Sequence, residues 1–262
     1  MNLGLEGKRV LAMASSGGLG FASAAALAAE GATVALCSRD LARARAATDR
    51  IREATGQTAF AYQADVQKKD DLEAFFESAI AGLGGLDILL CNAGGPPPGG
   101  FVNLTEDKWD IAYQLTLQSV VRSVRLALPH FQEAGGGRVL TIVSSSVKKP
   151  IPNLLLSNVF RPAVQGLCKS LSIELAGDNV QVNCLAPGRV LTERIDQLDE
   201  AMANRQGSTV EAVRQRSLQS IPMGRLGEPA EFGRVAAFLC SEAAAYITGS
   251  TVFVDGGSVT CL

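Results

Sequence analysis

The sequence predicts one α/β domain over residues 1–262, with a doubly wound sheet of seven mainly parallel strands and helices on both faces. Three observations predict this fold. The length of 262 residues suits one large domain. Short apolar runs lack the polar alternation of half-exposed strands, and helix-forming segments separate those runs. Hydrophobic residues make up 47% of the chain, which excludes a disordered protein.

The predicted elements follow one another in a regular order. The predicted strands are 8–14, 33–37, 58–63, 86–91, 138–144, 180–185 and 251–254. The predicted helices are 21–30, 41–55, 70–81, about 105–133 and 157–176. Gly31 and Gly56 follow the first two helices, where a residue without a β-carbon tolerates the left-handed conformation. Thr105, followed by two acidic residues, predicts the start of the long central helix.

Charge and hydropathy exclude several classes of protein. Lys and Arg total 24 and Asp and Glu total 26, so no basic excess exists to neutralise a nucleic acid. No apolar run reaches about 18 residues, and residues 1–9 lack a signal-peptide core. We therefore expect a soluble, cytoplasmic protein with no nucleic-acid partner and no membrane contact.

The cysteines and the histidine do not indicate a metal or acyl-transfer site. Six cysteines are scattered without a C-x-x-C pair, which favours reduced core cysteines over disulfides or zinc ligands. The only histidine, His130, lies at the end of a predicted helix. We expect it to be a surface or capping residue, since a catalytic triad would depend on it alone.

A glycine-rich turn follows the first predicted strand and precedes a helix. Such a turn lets the backbone approach a pyrophosphate at the positive end of the helix. The sequence therefore predicts a dinucleotide site. The residues expected to contact the cofactor here are Ala14, Ser15, Ser16, Gly18, Leu19 and Gly20.

The end of the second predicted strand indicates which dinucleotide binds. An acidic residue at this position would bind the ribose of NAD and repel a 2′-phosphate. Ser38 stands there instead, and Arg39 follows it. A hydroxyl with a guanidinium can hold a phosphate. We therefore expect NADP(H) to be preferred, with NAD(H) as the alternative.

Further motifs occur in a fixed order: D-V after the third strand, N-A-G after the fourth, P-G after the sixth, and D-G-G near the end. With these motifs the whole chain resembles the short-chain dehydrogenase/reductase family, of the standard type that includes the 3-oxoacyl-acyl-carrier-protein reductases. The resemblance implies a Rossmann-type fold. It also implies further cofactor contacts at the adenine, ribose, nicotinamide and pyrophosphate, namely Asp65, Val66, Asn92, Ala93, Gly94, Arg161, Pro187, Gly188, Val190 and Thr192.

The glycine-rich turn departs from the family pattern at one position. The family motif T-G-x-x-x-G-x-G falls on residues 13–20, where Ala14 replaces the first glycine. A methyl group is tolerated there if φ is negative. We expect a cost in cofactor affinity otherwise.

The catalytic positions depart further. The resemblance places the family's serine at Ser144, its tyrosine at Ser157, its lysine at Arg161 and its asparagine at Thr116. Only the serine is retained. A serine hydroxyl ionises far above a phenol, whereas an arginine stays charged and can still bond the nicotinamide ribose. Pro162 disfavours helical backbone at the preceding residue, so we expect an altered backbone there.

Other side chains could supply a proton. Lys148 and Lys149 follow the serine run, and Tyr113 lies one helical turn before Thr116. The simpler interpretation is favoured for each: the lysines as surface residues of the loop and the tyrosine as a core residue of the helix. These residues leave the identity of the proton donor open.

Three functions fit these residues. The first is an NADP(H)-dependent oxidoreductase of a ketone/secondary-alcohol pair with a non-standard proton relay. The second is a nucleotide-binding protein without turnover. The third is a non-redox enzyme such as a lyase or dehalogenase. Halohydrin dehalogenases resemble this chain in having arginine at position 161, but they keep the tyrosine and lack the dinucleotide turn.

Two predictions concern the periphery of the site. Residues 189–221 are polar and helix-prone, and we expect them to form a lid over the cofactor and a small-molecule substrate. The resemblance implies a homotetramer, or at least a homodimer, built on the helices 105–133 and 157–176. The apolar residues expected to support assembly are Ile111, Leu115, Val120, Val124, Val164, Leu167, Leu171 and Leu175.

Overall fold

The computed structural model describes residues 2–261. Its seven strands form one sheet in the order β3-β2-β1-β4-β5-β6-β7, and every neighbouring pair is parallel. This confirms the predicted doubly wound sheet. The strands are β1 (Arg9–Ala12), β2 (Thr33–Ser38), β3 (Ala59–Gln63), β4 (Ile88–Cys91), β5 (Gly137–Ile142), β6 (Val180–Pro187) and β7 (Thr251–Val254).

Helices cover both faces of the sheet. They are α1 (Gly18–Ala29), α2 (Leu41–Thr55), α3 (Lys69–Leu83), α4 (Glu106–Ala112), α5 (Ser119–Glu133), α6 (Leu155–Glu174), α7 (Glu193–Gln206), α8 (Val210–Gln219) and α9 (Pro229–Leu239). The apolar faces of α1, α2 and α9 bury one side of the sheet. Those of α3, α5 and α6 bury the other.

The predicted helix over 105–133 is not uniform. It consists of α4, a π-helical segment Tyr113–Gln118, and α5. Thr105 occupies the N-cap position, but its side chain makes no capping hydrogen bond. A π-helical segment inside a helix changes the direction of the side chains that follow it. This affects where Thr116 points, as described below.

Helix α6 continues through Pro162, so the expected disturbance at Arg161 does not occur. A proline inside a helix loses one backbone hydrogen bond, at a cost of about 3 kcal/mol. The helix is held by packing instead. Its buried face presents Ser157, Arg161, Val164 and Cys168 at helical spacing.

Residues 189–221 form α7 and α8, which are tied together by ion pairs. The Asp199 carboxylate is buried and pairs with Arg189 before α7 and with Arg214 on α8. Arg214 also lies 2.7 Å from an oxygen of Asp196. These contacts hold the two helices to each other and to the loop that follows β6.

Candidate active site

A cleft of about 990 Å³ lies at the carboxyl ends of the strands. The strand order reverses between β1 and β4, and ligands of open α/β sheets bind at such a reversal. The cleft is lined by the glycine-rich turn, the loops after β2 to β6, the start of α6 and the start of α7. Of the cofactor and catalytic positions placed by the motifs, all line it except Ser15 and Thr116; of the other candidate proton donors, Lys149 lines it and Lys148 and Tyr113 do not.

The start of α1 fits a phosphate group. Gly17 is the N-cap residue, no side chain caps the helix, and its first turn contains no acidic residue. The amide groups at this end therefore remain available to an anion. Gly18 has a φ of +56°, a conformation that glycine adopts without steric cost. The turn has the properties that a dinucleotide pyrophosphate requires.

Ala14 has a φ of +45°, so the condition under which its methyl group would be tolerated is not met. Its carbonyl oxygen accepts a hydrogen bond of 2.9 Å from Asn92 Nδ2. Its amide nitrogen lies 3.3 Å from Cys37 Sγ. These contacts hold the backbone in the left-handed region, where a β-carbon costs about 1–2 kcal/mol. The turn is therefore strained.

We expect Ala14→Gly to raise the free energy of unfolding by about 0.5–1 kcal/mol. Relief of the strain exceeds the added flexibility of glycine in the unfolded chain. Thermal unfolding should show a rise in Tm of about 1–4 °C. Ala93→Gly is the matched control, since Ala93 also lines the cleft but has no positive φ. This control variant should have a lower Tm than the wild type, because glycine only adds flexibility to the unfolded chain. A lower Tm for Ala14→Gly would contradict the strain argument.

Ser15 supports the turn from inside. It is fully buried, and its hydroxyl donates a hydrogen bond of 2.7 Å to the carbonyl oxygen of Met13. This side chain does not line the cleft, in contrast to the expectation from the motif. The local bond satisfies the hydroxyl without a ligand.

The end of the cleft beside β2, where the adenosine of a dinucleotide is expected, contains two arginines. Ser38 and Arg39 line it as predicted, together with Arg43 on α2. Asp40 does not line it, because its carboxylate caps α2 and accepts bonds from the amides of Ala42 and Arg43. Sequence reasoning missed Arg43, although the N-cap aspartate three residues earlier places it in the first turn of α2.

The other residues expected to bind the cofactor lie around the middle of the cleft. One N–H of the Asn92 side chain is committed to the carbonyl oxygen of Ala14 as described, which leaves its second N–H and its oxygen for a ligand. The Asp65 carboxylate accepts a bond of 3.1 Å from the amide of Gln67. Thr192 is the N-cap of α7 and faces the glycine-rich turn. The other members of this group line the cleft mainly through their position at strand ends, namely Val66, Ala93, Gly94, Pro187, Gly188 and Val190.

Three serines lie close together at the inner end of the cleft; Ser144 and Ser157 line it, whereas Ser146 is buried and does not. Ser144, just after β5, accepts a bond of 3.1 Å from the amide of Ser146. Its own proton therefore remains available to an oxygen in the cleft. The hydroxyls of Ser146 and Ser157 lie 3.2 Å apart, and both residues are buried. Sequence reasoning missed Ser146, whose role depends on α6 packing against the loop after β5.

Arg161 lies beside these serines and is only 7% exposed. Its Nη1 donates a bond of 2.7 Å to the carbonyl oxygen of Ile142, at the end of the strand that leads to Ser144. Burial, aided by the charge of Arg194, lowers the pKa of Arg161 to about 10. The guanidinium therefore stays protonated at neutral pH.

The other candidate donors are placed differently. Thr116 is 1% exposed, its hydroxyl has no partner within residues 2–261, and it does not line the cleft. Tyr113 is exposed and donates a bond of 2.8 Å to Gln118 Oε1. Lys148 is exposed away from the cleft, whereas Lys149 lines it. Lys149 is thus the one of these residues with access to a bound substrate.

The parallel sheet, the glycine-rich turn and the free α1 terminus define a dinucleotide-binding protein of the Rossmann class. Residues 13–259 match the family described as Enoyl-(Acyl carrier protein) reductase. The chain belongs to the short-chain dehydrogenase/reductase family, as its motifs indicated. It is therefore an oxidoreductase of the type that uses a nicotinamide cofactor and acts on alcohol and carbonyl groups.

The similarity to other proteins extends over nearly the whole chain. Dehydrogenase/reductase SDR family member 4 of Sus scrofa is 34% identical over 261 residues, 98% of this chain and 89% of the relative. L-sorbose reductase of Gluconobacter frateurii, complexed with NADPH and L-sorbose, has a TM-score of 0.95 at 31% identity, with 100% of both chains covered. A 7α-hydroxysteroid dehydrogenase complexed with NADH and 7-oxo glycochenodeoxycholic acid has a TM-score of 0.90 at 32% identity, covering 100% of this chain and 98% of the other.

Within residues 2–261, no helix combines the length and the apolar character needed to cross a membrane.

Proposed function

We propose that this protein is an NADP(H)-dependent oxidoreductase that interconverts a ketone and a secondary alcohol through a non-standard proton relay. The observation that most directly supports this proposal is that Ser144 and Arg161 lie in the same cleft. Both line the cleft, and a bond from Arg161 to the end of β5 fixes them to the same strand. The nearby glycine-rich turn supplies the phosphate site that a dinucleotide needs.

The proposed chemistry divides between the cofactor and the chain. When bound, the nicotinamide exchanges a hydride with the substrate carbon. Ser144 donates a hydrogen bond to the substrate oxygen, because its only assigned bond uses its lone pair rather than its proton. Arg161 places a positive charge where negative charge develops on that oxygen. Its remaining donors bond the nicotinamide ribose, as the family's lysine would.

The proton route must replace the family's tyrosine. We propose that the Ser157 hydroxyl, which lines the cleft, passes a proton between water in the cleft and the substrate oxygen, and that the buried Ser146 hydroxyl orients it. A serine is a poor acid, so it conducts the proton by exchanging one bond for another rather than by ionising. The separation of 3.2 Å between these hydroxyls supports this role. Lys149 at the cleft mouth is the alternative donor.

The reaction is tested by following NADPH oxidation with a panel of carbonyl compounds. The first substrates are L-sorbose and 7-oxo glycochenodeoxycholic acid, which are bound by similar proteins of known structure. Turnover of any ketone supports the proposal. Failure of the whole panel in both reaction directions, with tight NADPH binding, would favour the nucleotide-binding protein without turnover.

We expect NADPH to bind at least several-fold tighter than NADH, because Ser38, Arg39 and Arg43 can form charge-assisted bonds to a 2′-phosphate. Fluorescence titration gives both dissociation constants. Arg39→Ala should weaken NADPH binding and leave NADH binding unchanged. Arg45→Ala is the matched control, since Arg45 is exposed on α2 outside the cleft. Equal affinities for the two cofactors in the wild type would refute the preference.

We propose that α7 and α8 act as the lid expected from residues 189–221. The start of α7 lines the cleft through Thr192, Glu193 and Arg194, and residues 220 and 221 line it from the far end of the segment. Arg43 and Glu193 lie 3.2 Å apart, which joins the segment to α2 across the cofactor end of the cleft. This pair would close over a bound dinucleotide.

We propose that the protein assembles as a homotetramer, or at least a homodimer. Three of the apolar residues invoked, Val120, Val124 and Val164, are buried by the chain's own fold and cannot contribute. Ile111 stays 42% exposed, and Ile173 on α6 is 71% exposed. Sedimentation at micromolar concentration should give a multiple of 27.4 kDa. A mass equal to one chain would refute assembly.

A further inference from the structure

Two arginines at the inner end of the cleft have no acidic partner. Within residues 2–261, neither Arg161 nor Arg194 forms an ion pair. Arg161 is 7% exposed and Arg194 is half-buried, and both line the cleft. A buried charge without a counter-ion is costly, and the like charge of the half-buried Arg194 adds to the cost at Arg161, so this pair indicates a missing anion.

The loop after β4 is shaped to receive the Arg194 guanidinium. Arg194 Nη2 donates a bond of 3.2 Å to the carbonyl oxygen of Pro96. A β-carbon on Gly95 would lie 2.7 Å from the same nitrogen. A residue with a side chain would therefore displace the guanidinium. Because Gly95 has no side chain, the guanidinium of Arg194 can lie in the inner part of the cleft rather than in solvent.

The carboxylates of the cleft are elsewhere. Among the residues that line it, the acidic ones within the described chain are Asp65 and Glu193. Asp65 follows β3 at the adenine side, and Glu193 pairs with Arg43. Ribose hydroxyls would satisfy donors of Arg161 but are neutral. Thus, within residues 2–261, no carboxylate balances the two charges, and the neutral ribose of the cofactor cannot do so.

We propose that Arg194, assisted by Arg161, binds an anionic oxygen group, a carboxylate or a phosphate, carried by the substrate. The planar guanidinium of Arg194 can bond two oxygens of such a group at once. The carbonyl of the same substrate then lies beside Ser144. This inference rests on the proposed reductase function and names its substrate class: ketones that bear a negative charge.

The first test measures binding and needs no turnover. NADP⁺-loaded protein is titrated by calorimetry with acetate, 4-phenylbutanoate and phenyl phosphate, and with their neutral counterparts acetamide, 4-phenylbutanamide and phenol. We expect at least one anion to bind about tenfold or more tightly than its counterpart. Arg194→Gln should remove that preference. Arg205→Gln, the same change at an exposed position of α7 outside the cleft, should keep it.

The outcomes separate the inference from the proposed function. A preference for anions that depends on Arg194 supports the inference even if no ketone is reduced, in which case only the reductase function fails. The absence of a preference for any anion would overturn it. A loss of NADPH affinity in Arg194→Gln, with the preference for anions retained, would assign the anion to the cofactor and also overturn it.

The second test uses turnover. The wild type should reduce 2-oxo-4-phenylbutanoate with a kcat/KM about tenfold or more above that for its methyl ester. Arg194→Gln should lower the ratio of kcat/KM for the acid to that for the ester about tenfold, whereas Arg205→Gln, outside the cleft, should leave that ratio unchanged. Reduction of both compounds at equal rates by the wild type would overturn the substrate assignment while leaving the reductase function standing.

Discussion

Ser144→Ala is expected to lower kcat for ketone reduction by about 10²–10³-fold, the cost of removing one donor aimed at a reacting oxygen. NADPH affinity should be unchanged, because the hydroxyl is proposed to bond the substrate oxygen and not the cofactor. The measurements are steady-state kinetics and NADPH fluorescence titration on the same preparation. Ser145→Ala is the control, since Ser145 also lines the cleft but its side chain has no assigned hydrogen bond.

A second variant distinguishes this role from simple damage to the site. Arg161→Ala should weaken NADPH binding as well as turnover, because it removes donors proposed to bond the nicotinamide ribose. It also leaves the carbonyl oxygen of Ile142 without its partner. If Ser144→Ala and Arg161→Ala lower NADPH affinity equally, Ser144 does not act on the substrate oxygen.

The fold could be predicted because its signals are local. Each strand is a short apolar run, and each crossover is a helix with recognisable ends, such as Gly56 after α2. The glycine-rich turn and the motifs at strand ends then place the cofactor cleft, because parallel strands bring their carboxyl ends to one edge. Nothing in this step requires knowledge of distant contacts.

The residues that sequence reasoning missed depend on tertiary packing. Ser146 meets Ser157 only because α6 lies against the loop after β5. Arg194 enters the cleft because α7 returns over it and Gly95 leaves room. In each case a polar residue in a loop or at a helix start has no local pattern that distinguishes it from a solvated one.

The positions placed differently from expectation are explained by local geometry. The family's asparagine position falls on Thr116, which lies within a π-helical segment and is buried away from the cleft. Ala14 adopts a positive φ despite its methyl group because Asn92 and Cys37 hold its backbone. Pro162 stays within α6 because the residues of the buried face that precede and follow it in the sequence are packed in the core.

The altered tyrosine position gives the other large expected effect. Ser157→Ala should reduce kcat by about 10²-fold or more if the Ser157 hydroxyl, oriented by Ser146, conducts the proton. The loss should grow as pH rises, because solvent then supplies protons less readily to the broken relay. Ser170→Ala is the control, since Ser170 is exposed on the same helix away from the cleft. A small effect of Ser157→Ala would assign the proton to Lys149 or to water.

Restoring the family pair with Ser157→Tyr and Arg161→Lys tests whether the natural residues form a working relay. If they do, the wild type is active, and the double variant should change the pH dependence of kcat rather than create activity. A tyrosine beside a lysine ionises closer to neutral pH, so the optimum should move. The contrary result is a wild type that is inert to every ketone and alcohol and a double variant that is active. It would show that the natural residues at positions 157 and 161 do not form a working proton relay. The nucleotide-binding protein would then be the better account.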